Sequence, residues 1–199
     1  TRLQGDWSSD VCSSDLEVMK NVEVFVEICR DDAILPEYAK PGDAGMDVYA
    51  AEDVIIEPGQ TVIVPTGLKL AIPEGYEIQV RPRSGISLNT PLRIVNSPGT
   101  IDSGYRDELG IIINNSSVVA GYNNKDVSSY NNSGDKGESS AEVFTLESKG
   151  NKMGTYKIRK GDRIAQIVLQ EVPRIKFTLV ESVKNIGKDR GGGFGSTGV

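Results

Sequence analysis

The chain of 199 residues carries 22 Lys and Arg against 28 Asp and Glu, a formal charge of −6, and no histidine. Its length suits one domain with a real core, and its acidic balance argues against non-specific binding to nucleic acid or to an anionic membrane. The missing histidine removes Ser-His-Asp and Cys-His catalysis, HExxH zinc proteases and any His-ligated metal, so a general base must be a carboxylate, Lys or Tyr.

Two cysteines, Cys12 and Cys29, are too few for a disulfide framework or a Cys-rich zinc site. No run approaches the length of a membrane span, and the N-terminus lacks the basic-then-apolar order of a signal peptide. The expectation is a soluble, cytoplasmic protein without nucleic-acid or membrane partners.

Residues 1–16, TRLQGDWSSDVCSSDL, are Ser/Asp-rich and show no usable periodicity. The stretch from Asp6 to Leu16 back-translates naturally into a string resembling the end of a short-read sequencing adaptor. It reads as a non-native tail, a translated assembly scar, and is set apart from the fold. Cys12 and Trp7 then carry no functional weight, and the balance of the rest is 21 against 25.

From Val22 the pattern is short, β-rich and punctuated. Val22, Val24, Val26 and Ile28 alternate with the period of a half-buried strand. Val54–Ile56 and Thr61–Val64 flank a Pro58-Gly59 turn. Further strands are expected at Gly67–Ile72, Tyr76–Val80, Leu92–Val95, Leu109–Ile113, Tyr156–Ile158, Ile164–Leu169 and Ile175–Leu179, with one helical turn over Ser84–Asn89. Turn signals recurring at this spacing belong to a β-sandwich or barrel rather than to βαβ units, so the fold class is all-β.

Residues 115 to about 152 break the rhythm with Asn, Ser, Gly and charge, a composition that buries too little apolar area to offset its ordering entropy. They read as a polar loop inserted in the domain, with a short strand at Val143–Leu146. From Ile186 the chain ends in a flexible Gly-rich arm. The layout is thus a tail over 1–16 and a single domain over 17–199, with the insertion near 115–152 and the arm near 186–199.

Five islands punctuate the strands: AGMDVYA (Ala44–Ala50), RPRSGIS (Arg81–Ser87), NSPGTIDSGYRDE (Asn96–Glu108), KGDRIAQ (Lys160–Gln166) and RGGGFGSTG (Arg190–Gly198). Singly, each reads as an ordinary turn or a disordered end, and a lone Gly-rich string is weak evidence for phosphate binding. Together they concentrate Arg83, Arg106, Arg163 and Arg190 in an acidic chain, and Arg suits bidentate contact with phosphate oxygens. The FGSTG string offers close backbone approach and two hydroxyls, as a polyphosphate cradle requires, and Phe194 a face on which a base could stack. Asp47 and Asp102 supply carboxylates for a hard cation or for activating water. This chemistry describes an all-β nucleotide phosphohydrolase that uses Mg²⁺.

In this order, the five islands resemble the five motifs of the homotrimeric dUTPase family from about Val22 to Val199, interrupted only by the polar insertion. GTIDSGYRDE and the terminal FGSTG are the most specific. The resemblance implies a distorted jelly-roll β-barrel or sandwich with a C-terminal arm, assembled as a homotrimer whose active sites draw on three chains. The implied reaction is hydrolysis of dUTP to dUMP and pyrophosphate, which keeps uracil out of DNA and supplies dUMP for dTMP synthesis.

By the same resemblance, Asp102 is the base that activates the water attacking the α-phosphorus, and Gln166 lies against that water or the phosphates. Asp47 holds Mg²⁺ through water. Arg83, Ser84, Gly85 and Arg163 contact the phosphates. Asn96, Gly99 and Ile101 read uracil, and Tyr105 packs on deoxyribose, leaving no room for a 2′-hydroxyl. Phe194 and Gly195 cover the base, while Arg190, Ser196 and Thr197 surround the γ-phosphate.

Two departures stand out. Asp107 replaces the family's usual Gly after the Tyr-Arg pair, and three residues rather than four separate Arg190 from Phe194, leaving Lys188 as a substitute. Arg106 reads as a brace for the hairpin, Cys29 as a buried thiol, and Tyr49 and Tyr76 as core or interface rings. The competing functions are a non-catalytic or regulatory dUTP-binding protein and a dCTP deaminase-like enzyme of the same fold.

Overall fold

The computed structural model describes residues 21–118, 143–189 and 191, and its secondary structure is twelve strands and one six-residue helix. The strands form an all-β, jelly-roll-like body from four small sheets. β1 (Phe25–Ile28) pairs with β5 (Leu68–Ala71). β10 (Val143–Thr145) lies parallel to β11 (Thr155–Ile158), which pairs antiparallel with β3 (Val54–Ile56). A third sheet runs β4 (Thr61–Pro65), β9 (Gly110–Asn115), β7 (Leu92–Ile94). The largest has the order β2 (Met46–Tyr49), β12 (Arg163–Glu171), β6 (Tyr76–Arg81), β8 (Gly99–Ile101). The helix α1 covers Ser84–Asn89, where one helical turn is expected.

Alternation explains which face each strand buries. Along β9 the side chains of Ile111, Ile113 and Asn115 are buried while the residues between are half-exposed, and β6 buries Ile78 and Val80 in the same way. With Val48, Ile56, Val64, Tyr156, Ile158 and Ile167 they form one continuous core, each large apolar side chain contributing about 1.5–3 kcal/mol of burial. The Pro-Gly turn between β3 and β4 closes with Gln60 N–H on the Glu57 carbonyl at 3.0 Å, and Gly59 takes the positive φ of 78° that it needs.

Among the described residues, Asn115 is the one wholly buried side-chain amide. Its Nδ2 donates to the carbonyls of Ile56 (2.9 Å) and Gly154 (2.8 Å), and its Oδ1 accepts the Ser117 N–H at 3.1 Å. Ser117 Oγ donates to the Gly154 carbonyl at 3.2 Å and accepts the Gly154 N–H at 3.1 Å. Of the polar stretch expected to loop out, residues 115–118 and 143–152 are therefore described and tied to the body; its middle, 119–142, lies outside the described residues, as do 1–20.

Four expectations differ from the structure, one of them Cys29, expected as a buried thiol and found half-exposed just past β1. β2 and β8 form inside two of the Gly- and charge-rich islands, where sequence pattern gave no strand. β1 is exposed along its length rather than half-buried. No strand forms over Ile175–Leu179: the alternation is present, yet Ile175, Phe177 and Leu179 are 79%, 88% and 100% exposed. A strand needs a neighbour to take its N–H and C=O groups, and after Val172, whose N–H reaches the Gly75 carbonyl at 2.7 Å, no other strand of the described chain runs alongside.

Candidate functional site

The register of the largest sheet builds the first half of the site. Asp47 on β2 stands opposite Gln166 on β12, which stands opposite Arg81 on β6. All three project from the face turned away from the core, because Val48, Ile167 and Val80 beside them point inward. A β-bulge between Arg163 and Ala165 brings Arg163 to the same corner, and Arg83 arrives from the residue before α1.

Asp47 is the centre of this corner, its side chain only 13% exposed. Its Oδ1 accepts Arg83 Nε at 2.8 Å and Gln166 Nε2 at 3.5 Å, and its Oδ2 accepts Arg83 Nη2 and Arg163 Nη1, each at 3.3 Å. Arg83 Nη1 also donates to the Arg163 carbonyl at 3.4 Å. Two guanidinium groups thus share one carboxylate, leaving the corner with a net positive charge suited to a phosphate chain. Beside it a hollow of about 300 Å³ is lined by Asp43, Gly45, Asp47, Arg81 and Gln166. Ser84 and Gly85 open α1, both exposed, and a Cβ at Gly85 would meet nothing within 4 Å.

The second half is the hairpin around β8. Asn96 is exposed, while Gly99 is buried so closely that a Cβ there would lie 3.1 Å from Asn96 Nδ2 and 3.4 Å from Val80 Cβ. Asp102 follows Ile101 at the end of β8, exposed, and its carbonyl accepts the Tyr105 N–H at 3.0 Å. Tyr105, 38% exposed, donates its hydroxyl to the Glu108 carbonyl at 3.0 Å. Arg106 braces the turn through the carbonyls of Ser103 (2.6 Å) and Tyr105 (2.8 Å). Asp107 adopts no positive φ, so its side chain introduces no backbone strain.

The two halves do not meet within one chain. Asp47 is level with Arg81, whereas Ile101 pairs with Ile78, so Asp102 is level with Glu77. Four residues along the strands and three strand spacings across put the two aspartates about 19 Å apart (about 13 Å by about 14 Å). Arg190, Phe194, Gly195, Ser196 and Thr197 lie outside the described residues.

Three participants escaped the sequence reading. Arg81 joins the Asp47 corner, its Nε and Nη2 held by Gln79 Oε1 at 3.2 and 2.8 Å. Glu108 accepts Arg30 Nε at 2.6 Å and the Gly67 N–H at 2.8 Å. Burial of Glu108 pushes its carboxyl upward, but these two donors outweigh it and hold the group below its ordinary value. The sequence separation of Arg30 and Glu108, 78 residues, left no local signal.

No group of three potential metal ligands occurs among the described residues. Asp47 is the carboxylate of its corner, and both its oxygens are taken by guanidinium groups. Such a site lacks an all-protein cage; a cation here would keep its waters and take oxygens from a bound phosphate chain, as Mg²⁺ can. A larger hollow, about 380 Å³, lies on the opposite face of the sheet under β1, lined by apolar Val24, Met46, Leu70, Ile78 and Leu169, and contains none of the expected site residues. No helix among the described residues is long and apolar enough to cross a membrane.

Comparison with known proteins places these features in a lineage. The family model for dUTPase matches residues 31–124. A deoxyuridine 5′-triphosphate nucleotidohydrolase of Syntrophotalea carbinolica is 40% identical over 182 residues, covering 90% of this chain and 99% of that one. Its counterpart in Clostridium tetani is 36% identical with the same coverage. Among solved structures, a substituted dUTPase of Staphylococcus bacteriophage 80alpha with dUpNHpp superposes with a TM-score of 0.69 at 30% identity, covering 89% of this chain and 99% of that one. That protein is described as controlling transfer of virulence genes by a G protein-like mechanism. A substituted dUTPase from phage phi11 of S. aureus, described as revealing the coordination of a structural Mg(II) ion, gives 0.65 at 29% identity over 82% of this chain and 99% of that one.

Proposed function

The chain belongs to the dUTPase family of nucleotidohydrolases, and from that premise we propose that it hydrolyses dUTP to dUMP and pyrophosphate in sites shared between copies of itself. The observation carrying this reading is the separation of about 19 Å between the Asp47 corner and Asp102. A nucleoside triphosphate cannot have its phosphates gripped at one corner and its α-phosphorus attacked at the other within one chain, so the halves must come from neighbouring copies. The exposed apolar side chains of Ile175, Phe177 and Leu179 support such association, since an apolar segment left in water is stabilised by a neighbour that covers it. The assembly proposed is a homotrimer.

In this reading Arg83 and Arg163 hold the triphosphate, Ser84 and the unobstructed backbone at Gly85 approach the leaving pyrophosphate, and Gln166 lines the phosphate path. Mg²⁺, when bound, would clamp phosphate oxygens and neutralise their charge, with Asp47 holding it through water. Asp102, exposed at the end of β8, takes a proton from the attacking water. Gly99, Ile101 and Asn96 read the uracil edge by hydrogen bonds that cytosine would reverse, and a tight fit opposes the methyl of thymine. Tyr105 faces the sugar. The arm brings Phe194 and Gly195 over the base and Arg190, Ser196 and Thr197 around the γ-phosphate, closing the site against water. Cellular roles follow from the reaction: uracil kept out of DNA and dUMP supplied for dTMP synthesis, in the cytoplasm, where the free thiol of Cys29 is at home.

The test is pyrophosphate release with Mg²⁺ from dUTP beside dCTP, dTTP and UTP. Release from dUTP alone is expected. The phage relative described as controlling gene transfer favours one second reading, a regulatory dUTP-binding protein; tight binding of dUpNHpp with no release from dUTP would select it.

A further inference from the structure

The ring of Tyr105 is fastened at its tip. Its exposure is 38%, and its hydroxyl ends on the carbonyl of Glu108. The direction of that carbonyl therefore decides where the ring stands. Two anchors hold that carbonyl: the Leu109 N–H of the same planar peptide, which donates to the Leu68 carbonyl at 2.8 Å, and the Glu108 side chain, whose Oε1 accepts both Arg30 Nε (2.6 Å) and the Gly67 N–H (2.8 Å). The Leu109 carbonyl in turn takes Thr66 Oγ1 at 2.7 Å.

Arg30 is delivered to this point by the chain after β1. Gly67 accepts the Cys29 N–H at 2.9 Å while donating to Glu108. It does so at φ 73°, with Ala33 so near that a Cβ would lie 2.5 Å from its Cβ. Arg30 is steadied in turn by Glu52 at 2.9 Å through Nη1. The pair thus ties the hairpin carrying Asp102 and Tyr105 to a distant part of the body.

We propose that Glu108, clamped by Arg30, is a positioning residue that fixes the Tyr105 ring against the sugar and so sets the preference for a deoxyribose over a ribose triphosphate. The inference rests on the reading of Tyr105 as the sugar-facing ring. It separates placement from folding because Tyr105 itself is outside the core: releasing the side-chain anchor leaves the backbone bonds of Leu109 in place and lets residue 108 and the ring on its carbonyl shift. A ring free to swing leaves room for a 2′-hydroxyl.

The experiment measures kcat/KM for dUTP and for UTP, with Mg²⁺, in the full chain and in Glu108→Gln, Glu108→Ala, Arg30→Met and the Glu108→Ala/Arg30→Met double variant, with thermal unfolding in parallel. Glu108→Ala is expected to narrow the dUTP:UTP ratio about tenfold, chiefly by raising turnover of UTP relative to dUTP, and the double variant to do no worse than that single change, as contacting partners do. Glu108→Gln, which keeps an acceptor for Gly67, should fall between wild type and Glu108→Ala. If Glu108→Ala does not fold, Arg30→Met and Glu108→Gln carry the comparison, and the same partial narrowing is expected. A merely structural role would depress both substrates in parallel with the unfolding temperature and leave the ratio alone; that result overturns the inference while leaving dUTP hydrolysis intact. A wild-type chain that turns over dUTP and UTP equally overturns the inference together with the sugar-facing role of Tyr105, and one that releases nothing from dUTP overturns it with the proposed function.

Discussion

Replacing Asp47 with Asn separates the bracing duty that the geometry gives this carboxylate from the metal-linked duty proposed for it. Asn keeps the shape and one acceptor, so Arg83 Nε at 2.8 Å retains a partner, but an amide nitrogen then faces either Arg83 Nη2 or Arg163 Nη1, both at 3.3 Å from the present Oδ2. Arg163 is 54% exposed and finds water instead; Arg83, at 24%, is less able to. The loss of stability should therefore be about 1–2 kcal/mol, between an exposed and a buried pair. For a domain of this size that lowers the unfolding midpoint by about 2–8 °C. The second duty is towards Mg²⁺. A charge-assisted hydrogen bond from a metal-bound water to the carboxylate is worth about 1.5–3 kcal/mol, so the Mg²⁺ concentration giving half-maximal dUTP hydrolysis should rise about 10- to 100-fold. Differential scanning fluorimetry and a Mg²⁺ titration of pyrophosphate release read the two effects independently. An unchanged Mg²⁺ midpoint, alongside the expected thermal loss, would refute the metal-linked role and leave Asp47 only as the brace for Arg83.

Asp102→Asn should bind dUpNHpp with near-normal affinity by calorimetry yet lose about 10²–10⁴ in turnover; near-normal rates would remove Asp102 as the base. Asn115→Ala deletes three hydrogen bonds from a fully buried site and should cost about 2–4 kcal/mol in urea unfolding, whereas a loss below about 1 kcal/mol would mean that water takes over the orphaned carbonyls. Glu108, held below its ordinary value of 4.5, contributes stability that is complete above that value and is lost as pH falls through its lower folded value. Glu108→Gln should thus flatten the acid limb of the unfolding profile below pH 4.5, and an acid limb identical to wild type would contradict the pair. Phe177→Asp, at a site 88% exposed in the single chain, should shift the species seen by light scattering to lower mass; an unaltered mass would place that segment outside the interface.

Strand periodicity made most of the body legible. The alternations at Tyr76–Val80 and Leu109–Ile113 lie in or against strands whose buried faces match the pattern, and Ile164–Leu169 lies in a strand that buries adjacent pairs, Ile164 with Ala165 and Ile167 with Val168. β2 and β8 were hidden because their residues are read first as Gly- and charge-rich turns, and they become strands only when β12 and β6 supply partners. Ile175–Leu179 failed in the opposite sense: its pattern is that of a strand, but periodicity says which face wants burial and not which chain provides it. For the site, the islands named Asp47, Arg83, Arg163 and Gln166; sheet register brings Asp47, Arg163 and Gln166 to one corner, and Arg83 joins them from the residue before α1. Arg81 opens one of the islands but received no role there because nothing local separates it from a solvated strand residue, and the Arg30–Glu108 tie was hidden because ion pairs between distant segments leave no trace in spacing.

Sharing of sites between copies is tested most directly by mixing two variants that are each inactive for a different half. Asp102→Asn disables the hairpin and Arg83→Ala the phosphate corner. Coexpressed in equal amounts and purified as mixed assemblies, they should recover about a quarter of wild-type pyrophosphate release from dUTP, because random association joins an intact hairpin to an intact corner in about one site in four. No recovery from demonstrably mixed assemblies would show that hairpin and corner must belong to the same chain, and would contradict the account.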